Sequence, residues 1–256
     1  MNKADALARL VEMSRELGEP TNDYVILGEG NTSARLSEET FAVKASGTTL
    51  RGIQPEHFVE VRFDAVLELL DRESATDAEV KDALQAACAD PASKLRPSVE
   101  TVLHASLLSL PGVGFVGHTH PTAVNMILCS RNWKDVLAGR IFPDEIVSCG
   151  VAPVLVDYTD PGLPLAKVVH RKVREFLEAA GEPPKAVLMQ NHGLIAIGQT
   201  PVEVLGITAM WVKTARVLRG TFAFGGPRFF SEQEVARIST RPDELYRMKL
   251  IRGLAG

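Results

Sequence analysis

Cysteine is scarce in this chain, with three in 256 residues (Cys88, Cys129 and Cys149) and no Cys-x-x-Cys pair. So sparse and odd a set fits reduced thiols better than a disulfide framework, which makes a cytoplasmic location the expectation. Long apolar runs are missing as well. None approaches the roughly 20 residues that cross a bilayer, so no membrane partner is expected. The first twenty residues alternate charged and apolar types at helical spacing and carry no signal-peptide core. Runs of basic residues are absent, and Lys plus Arg number 28 against 32 Asp plus Glu, for a net charge of −4. That balance argues against nucleic acid as a partner. What is left is ordinary for a soluble globular protein, 45% apolar and 23% charged, with length for one large domain or two small ones.

Against that plain background one stretch stands out, Gly117-His118-Thr119-His120-Pro121, which follows the apolar run Gly114-Phe115-Val116. The run reads as a buried strand, in which alternate side chains share a face, so His118 and His120 point the same way. Pro121 cannot donate to a sheet ladder and should end the strand just past the pair. Two imidazoles at a strand end can reach one metal ion, or they can be ordinary histidines on a polar face.

Three other regions bear on that choice. Gly28-Glu29-Gly30-Asn31-Thr32-Ser33 is a small, polar turn whose glycines allow close backbone approach and whose N–H groups can cradle an anion. It lacks the third glycine and the following helix of a dinucleotide fingerprint, so a Rossmann reading is rejected. Instead Ala34–Leu36 and Phe41–Lys44 read as paired strands, the second running into another hydroxyl-rich turn, Ser46-Gly47-Thr48-Thr49. The two turns should lie close together in space, and a hairpin turn without a ligand is the plainer alternative.

Arg96-Pro97-Ser98 opens an apolar helix through Leu110, which puts Glu100 in its first turn and His104 on the same face. Glu100 can serve the helix dipole or reach the histidines, and His104 reads as a buried supporting residue. Lys185–Met189 reads as a buried strand that Leu194–Gly198 continues beyond Gln190-Asn191-His192-Gly193. His192 at that irregularity either packs in the core or binds something. Elsewhere Ala4–Leu17, Thr122–Cys129, Leu165–Ala180 and Pro201–Leu218 read as helices, Val59–Val61 and Val151–Tyr158 as extended. Residues 74–94 read as a mobile or partly helical surface segment, His170 as solvated and His57 as local to the surface.

Taken together, His118, His120 and His192 at strand ends form the usual three-imidazole set of a catalytic zinc site, with Glu100 as fourth group or proton-transfer base. A divalent metal beside an anion pocket and one free carboxylate suits proton abstraction or carbon–carbon cleavage next to a polarised carbonyl.

Five motifs carry a resemblance: Gly-Glu-Gly-Asn-Thr-Ser (28–33), Lys-Ala-Ser-Gly-Thr (44–48), Pro-Ser-Val-Glu-Thr-Val-Leu-His (97–104), Gly-His-Thr-His-Pro (117–121) and Gln-Asn-His-Gly-Leu-Ile (190–195). In this order they resemble the class II aldolase/adducin family, which includes fuculose-phosphate aldolase. Arg-Pro-Ser-Val-Glu-Thr and Asp-Pro-Gly-Leu-Pro-Leu-Ala look most like the aldolase half of rhamnulose-phosphate aldolase/dehydrogenase fusions. The resemblance implies an α/β protein, a three-layer α/β/α fold around a mixed, largely antiparallel sheet. It implies a single such domain over 1–256, with a C-terminal tail from about 222.

It also implies a homotetramer and Zn²⁺ or a similar divalent ion (Mn²⁺, Co²⁺ or Fe²⁺), with His118, His120 and His192 as ligands and Glu100 as catalytic acid/base. The substrate would be a sugar phosphate held by Gly30, Asn31, Thr32, Ser46, Gly47 and Ser98. The implied reaction is retro-aldol cleavage of a ketose 1-phosphate to dihydroxyacetone phosphate and a hydroxyaldehyde. A sugar-phosphate 4-epimerase, decarboxylase or dehydratase, and a non-catalytic adducin-like binding module, are the alternatives. Two positions depart from the family pattern. Val99 replaces the second of two serines before the glutamate, which removes one phosphate contact. No tyrosine lies in Ala138–Phe142, so the second proton donor has no residue assigned to it.

Overall fold

The computed structural model describes residues 2–251. In chain order the elements are α1 (Lys3–Leu17), β1 (Asn31–Arg35), β2 (Thr40–Lys44), β3 (Phe58–Arg62), α2 (Phe63–Asp71), α3 (Asp77–Ala86), α4 (Thr101–Leu108) and β4 (Phe115–Thr119). Then come α5 (Thr122–Leu128), α6 (Trp133–Val136), α7 (Pro143–Cys149), β5 (Val154–Val156), α8 (Leu163–Ala180), β6 (Ala186–Met189), β7 (Gly193–Gly198), α9 (Pro201–Thr221), α10 (Glu232–Ser239) and α11 (Pro242–Ile251). The strands form one sheet in the order β3-β2-β1-β4-β7-β6-β5. Every neighbouring pair is antiparallel except β5 and β6.

Side-chain alternation along the strands splits the core in two. Val187 and Met189 of β6 and Ile195 and Ile197 of β7 face a layer that contains α2, α3, α4 and α8. Ala186, Leu188, Leu194 and Ala196 face the opposite layer, which contains α1, α5, α7 and α9. The result is the expected α/β fold, with helices on both faces of a mixed, largely antiparallel sheet. Both faces are apolar because both are covered, and each fully buried leucine or valine contributes about 1.5–3 kcal/mol of transfer free energy. α10 and α11 pack on α7, where Phe229 sits against Gly139 and the Phe230 N–H donates to Arg140 O (2.8 Å).

Several expectations change. β6 and β7 are not one interrupted strand but an antiparallel hairpin, with Met189 opposite Gly193. Asn191 takes a left-handed backbone (φ 53°) and the His192 N–H donates to Met189 O (3.2 Å), so the chain reverses where it was expected to run on. Residues 74–94 contain an ordered helix, α3, closed by a Thr76–Glu79 capping box, with Val80 and Leu84 in the core. α4 starts at Thr101, which makes Glu100 its N-cap and not a first-turn residue. Ile26 and Leu27 are exposed in the loop before β1, while Val25 is half-buried against the core. His170 is not simply solvated, because its Nδ1 lies 2.8 Å from the Ser106 hydroxyl on α4.

Candidate metal centre

Antiparallel pairing brings the start of β1, the ends of β2 and β4 and the start of β7 to one end of the sheet. In the register Asn31 lies opposite His118, and His118 opposite Ile195. The β6–β7 hairpin then sets His192 beside the end of β4. Two glycines make this convergence possible. A Cβ on Gly193 would sit 2.6 Å from Thr119 O and 2.7 Å from His120 Cδ2. Gly30 has φ 69°, and a Cβ there would meet His118 O at 2.6 Å.

The three rings turn their Nε2 atoms toward one point. His118 Nε2 is 3.0 Å from His120 Nε2 and 3.2 Å from His192 Nε2, with ring centroids 4.7–5.2 Å apart. The His118 Nδ1–H donates to Leu194 O (3.0 Å), so its Nε2 presents a lone pair. Bare nitrogens so close repel unless a cation lies between them. Zn–N bonds of about 2.0–2.1 Å in tetrahedral geometry put ligand nitrogens about 3.3 Å apart, close to the spacings here. Burial pushes His118 and His192 down, and burial with His118 holds His120 at about 4. Neutral imidazole is the ligating form.

Glu100 closes the site. Its Oε2 lies 3.6 Å from His118 Nε2 and its Oε1 3.4 Å from His192 Nε2. Asn31 Nδ2 donates to Oε2 (2.6 Å), while buried Oε1 has no hydrogen-bond partner among the described residues. Burial pushes this carboxyl up, but His118, the Asn31 bond, His192 and His104 outweigh it and hold it at about 2. An orphaned carboxylate oxygen among three imidazoles is the donor set a divalent ion fits.

Around these groups the loop before β1 is clamped to the end of β4. The His120 N–H donates to Tyr24 O (2.9 Å) and Thr122 Oγ1 to Asp23 Oδ1 (2.9 Å). Leu27 takes φ 52°, a left-handed backbone costing a leucine about 1–2 kcal/mol; it is 85% exposed. That turn brings Glu29 Oε1 to 3.8 Å from His120 Nδ1.

The expected substrate residues divide. Asn31 and Ser98 lie at the glutamate, with Asn31 Nδ2 3.3 Å from Ser98 Oγ. Ser46 and Gly47 form an exposed turn, tied to the entry of α4 by the Ser46 N–H donating to Arg96 O (2.8 Å). Gly28 faces this turn at Thr48 O, as the expected proximity of the two turns requires. Thr32 does not join them. Its hydroxyl is buried 2.6 Å from Ser14 Oγ on α1, the opposite face of the sheet, because strand alternation turns it away from Asn31 and Ser33.

Lys44 was missed as a site residue. It is buried at the end of β2 and its Nζ donates to Thr48 O (2.6 Å). Burial lowers its pKa and Glu100 raises it, so this cation senses the carboxylate. The signal was its place in the Lys-Ala-Ser-Gly-Thr turn. Asn125 was missed too, and its Nδ2 donates to His192 O (3.1 Å).

Among known proteins, this chain is 33% identical over 181 residues to an uncharacterized oxidoreductase, YuxG, from Bacillus subtilis. The match covers 68% of this chain, which spans only 24% of that protein. It is 28% identical over 214 residues to a methylthioribulose-1-phosphate dehydratase from Geobacillus kaustophilus, covering 79% of this chain and 85% of the relative. An L-fuculose 1-phosphate aldolase structure superposes with a TM-score of 0.68 at 17% identity, over 93% of this chain and 96% of the other, and shares the fold. The family model described as class II aldolase and adducin N-terminal domain matches residues 8–218. That match spans all five motifs and the whole sheet, and the chain belongs to this family.

Proposed function

We propose that the protein is a divalent-metal lyase acting on a ketose 1-phosphate, and that it breaks the sugar's carbon–carbon bond by retro-aldol cleavage. The observation that carries this reading is the convergence of three Nε2 atoms on a buried carboxylate with one free oxygen. His118, His120 and His192 would hold Zn²⁺, with Mn²⁺, Co²⁺ or Fe²⁺ as substitutes. When bound, such an ion supplies Lewis acidity toward the carbonyl and adjacent hydroxyl oxygens of the sugar.

The chain's own residues do the rest. Glu100 moves the proton: Oε2 is pinned by Asn31, and Oε1 is left free to give a proton to, or take one from, the carbon beside the carbonyl. In cleavage a proton leaves the far hydroxyl, the carbon–carbon bond breaks into a new carbonyl, and a proton is returned to the carbon left behind. The phosphate lies at the turn of Ser46 and Gly47 with Ser98, where Lys44 supplies the positive charge a dianion requires. Val99, 60% exposed, adds no hydroxyl there. The resemblance supports a homotetramer, and free Cys88, Cys129 and Cys149 support a cytoplasmic location.

A dehydratase is the second reading, favoured by the similarity to the Geobacillus dehydratase along most of both chains. There Glu100 would take the proton beside the carbonyl while hydroxide leaves the next carbon. One experiment separates the two. Zinc-loaded protein is incubated with L-rhamnulose, L-fuculose and methylthioribulose 1-phosphates, and products are read by mass spectrometry. Dihydroxyacetone phosphate is the expected product, and a product lighter by one water establishes the dehydratase. Glu100→Gln abolishes either, and no turnover of any of the three sinks the ketose 1-phosphate reading.

A further inference from the structure

His104 is fully buried on α4 and takes no part in the chemistry above, yet both its nitrogens are occupied. Nε2 makes a short contact with Asn31 Oδ1, and Nδ1 lies 2.6 Å from the Ser33 hydroxyl. The alternation of β1 puts Asn31 and Ser33 on the face that α4 covers, and the main chain holds the histidine one turn from Glu100 through its N–H to Glu100 O (3.1 Å).

The direction of each hydrogen bond follows from the chemistry of its partners. Asn31 Nδ2 donates to the Glu100 carboxylate, an acceptor, so Oδ1 is the atom facing His104. A carbonyl oxygen only accepts, hence His104 carries its proton on Nε2. Its Nδ1 is then a bare acceptor, and the Ser33 hydroxyl donates to it. Burial holds the ring neutral, with its pKa down at about 3, so one proton serves the two nitrogens.

We infer that His104 is a positioning residue: its Nε2–H fixes Asn31 with the amide N–H₂, not the carbonyl, toward Glu100. An asparagine freed of this partner can rotate its amide by half a turn, which would set an oxygen against the carboxylate. The chain Ser33–His104–Asn31–Glu100 thus runs on one donor direction from end to end. This inference rests on Glu100 being the proton-transfer group.

The test uses zinc-loaded, ¹⁵N-labelled protein and two variants chosen for what they keep. His104→Gln retains an N–H donor near the Nε2 position, while His104→Phe retains a ring of similar size with no donor. In the unaltered protein, long-range ¹H–¹⁵N NMR should show the His104 proton on Nε2. The Asn31 side-chain protons should be shifted downfield by the carboxylate. That shift is expected to survive in His104→Gln and vanish in His104→Phe.

Turnover of whichever ketose 1-phosphate the protein cleaves or dehydrates should fall about 10–100-fold in kcat for the phenylalanine variant. KM and zinc content should stay within about threefold, and the glutamine variant should recover most of the loss. A merely packing histidine would favour the phenylalanine variant, and that ranking overturns the inference. So does a proton on Nδ1 in the unaltered protein, a measurement that needs no variant to fold. If Glu100→Gln turns over normally, the proposed function fails by itself. If Glu100→Gln is dead while His104→Phe is as active as the unaltered protein, only this inference fails.

Discussion

The two ends of the candidate site, the histidine cluster and the Ser46–Gly47 turn, are built differently. At the metal end His118 Nε2 lies 3.0 Å from His120 Nε2, 3.2 Å from His192 Nε2 and 3.6 Å from Glu100 Oε2, on residues that the sheet register and a tight hairpin hold in place. At the anion end Ser46 and Gly47 are exposed on a turn, and the buried Lys44 donates a hydrogen bond to Thr48 O. The histidine nitrogens are held close at an electrostatic cost that a cation between them would relieve. The exposed turn is cheap to leave in water, and any anion affinity there would have to offset the cost of ordering it.

If that contrast is right, damage to the metal end should be nearly all-or-none. His118→Ala should weaken zinc binding by at least about a thousandfold, since it removes the ligand whose tautomer the Leu194 carbonyl fixes. Isothermal titration or chelator competition would read this, and near-normal zinc affinity would break the comparison at its root.

The wall shared by the two ends sets a pH limit on folding. His104 binds a proton at about 6.5 when unfolded and only at about 3 when folded. The unfolded chain therefore holds more protons across that window. The stability from keeping His104 neutral is complete above pH 6.5 and is lost as pH falls toward 3, by up to roughly 1.4 kcal/mol per pH unit. Denaturant melts at a series of pH values should show this slope, reduced in His104→Gln.

Gly193→Ala probes the metal end more gently. Its Cβ would press on Thr119 O and His120 Cδ2, so zinc affinity should drop about 10–100-fold while the fold persists. Lys44→Met acts on the other end. It should raise KM about 10-fold, the loss of one charge-assisted hydrogen bond, with kcat and zinc affinity nearly unchanged. A fall in kcat with constant KM would show that the lysine serves the carboxylate instead. Thr32→Val should be smallest in function, with no change in KM and about 1 kcal/mol lost from stability as the Ser14 bond goes.

The chain itself disclosed the metal end better than the anion end, for a geometric reason. His118 and His120 share a face because strand alternation has period two, a rule that needs only their spacing. Thr32 was grouped with Asn31 because the turn around it was read as a unit, although the same rule turns its hydroxyl to the face opposite Asn31 and Ser33. The reversal at residues 190–193 was also written in turn chemistry, since Asn191 tolerates the left-handed backbone and Gly193 the close approach. Two apolar segments on either side looked the same for a straight strand and a hairpin. The Thr76–Glu79 capping box announced α3 before a segment dismissed as surface. By contrast, the Ser106–His170 contact joins residues 64 apart through helix packing, and no local pattern encodes it.

If His118, His120 and His192 form one divalent-metal site, a crystal structure of zinc-soaked protein with anomalous data at the zinc edge should show a single strong anomalous peak within bonding distance of all three Nε2 atoms. Zinc at another position, or no peak among these rings, would contradict it.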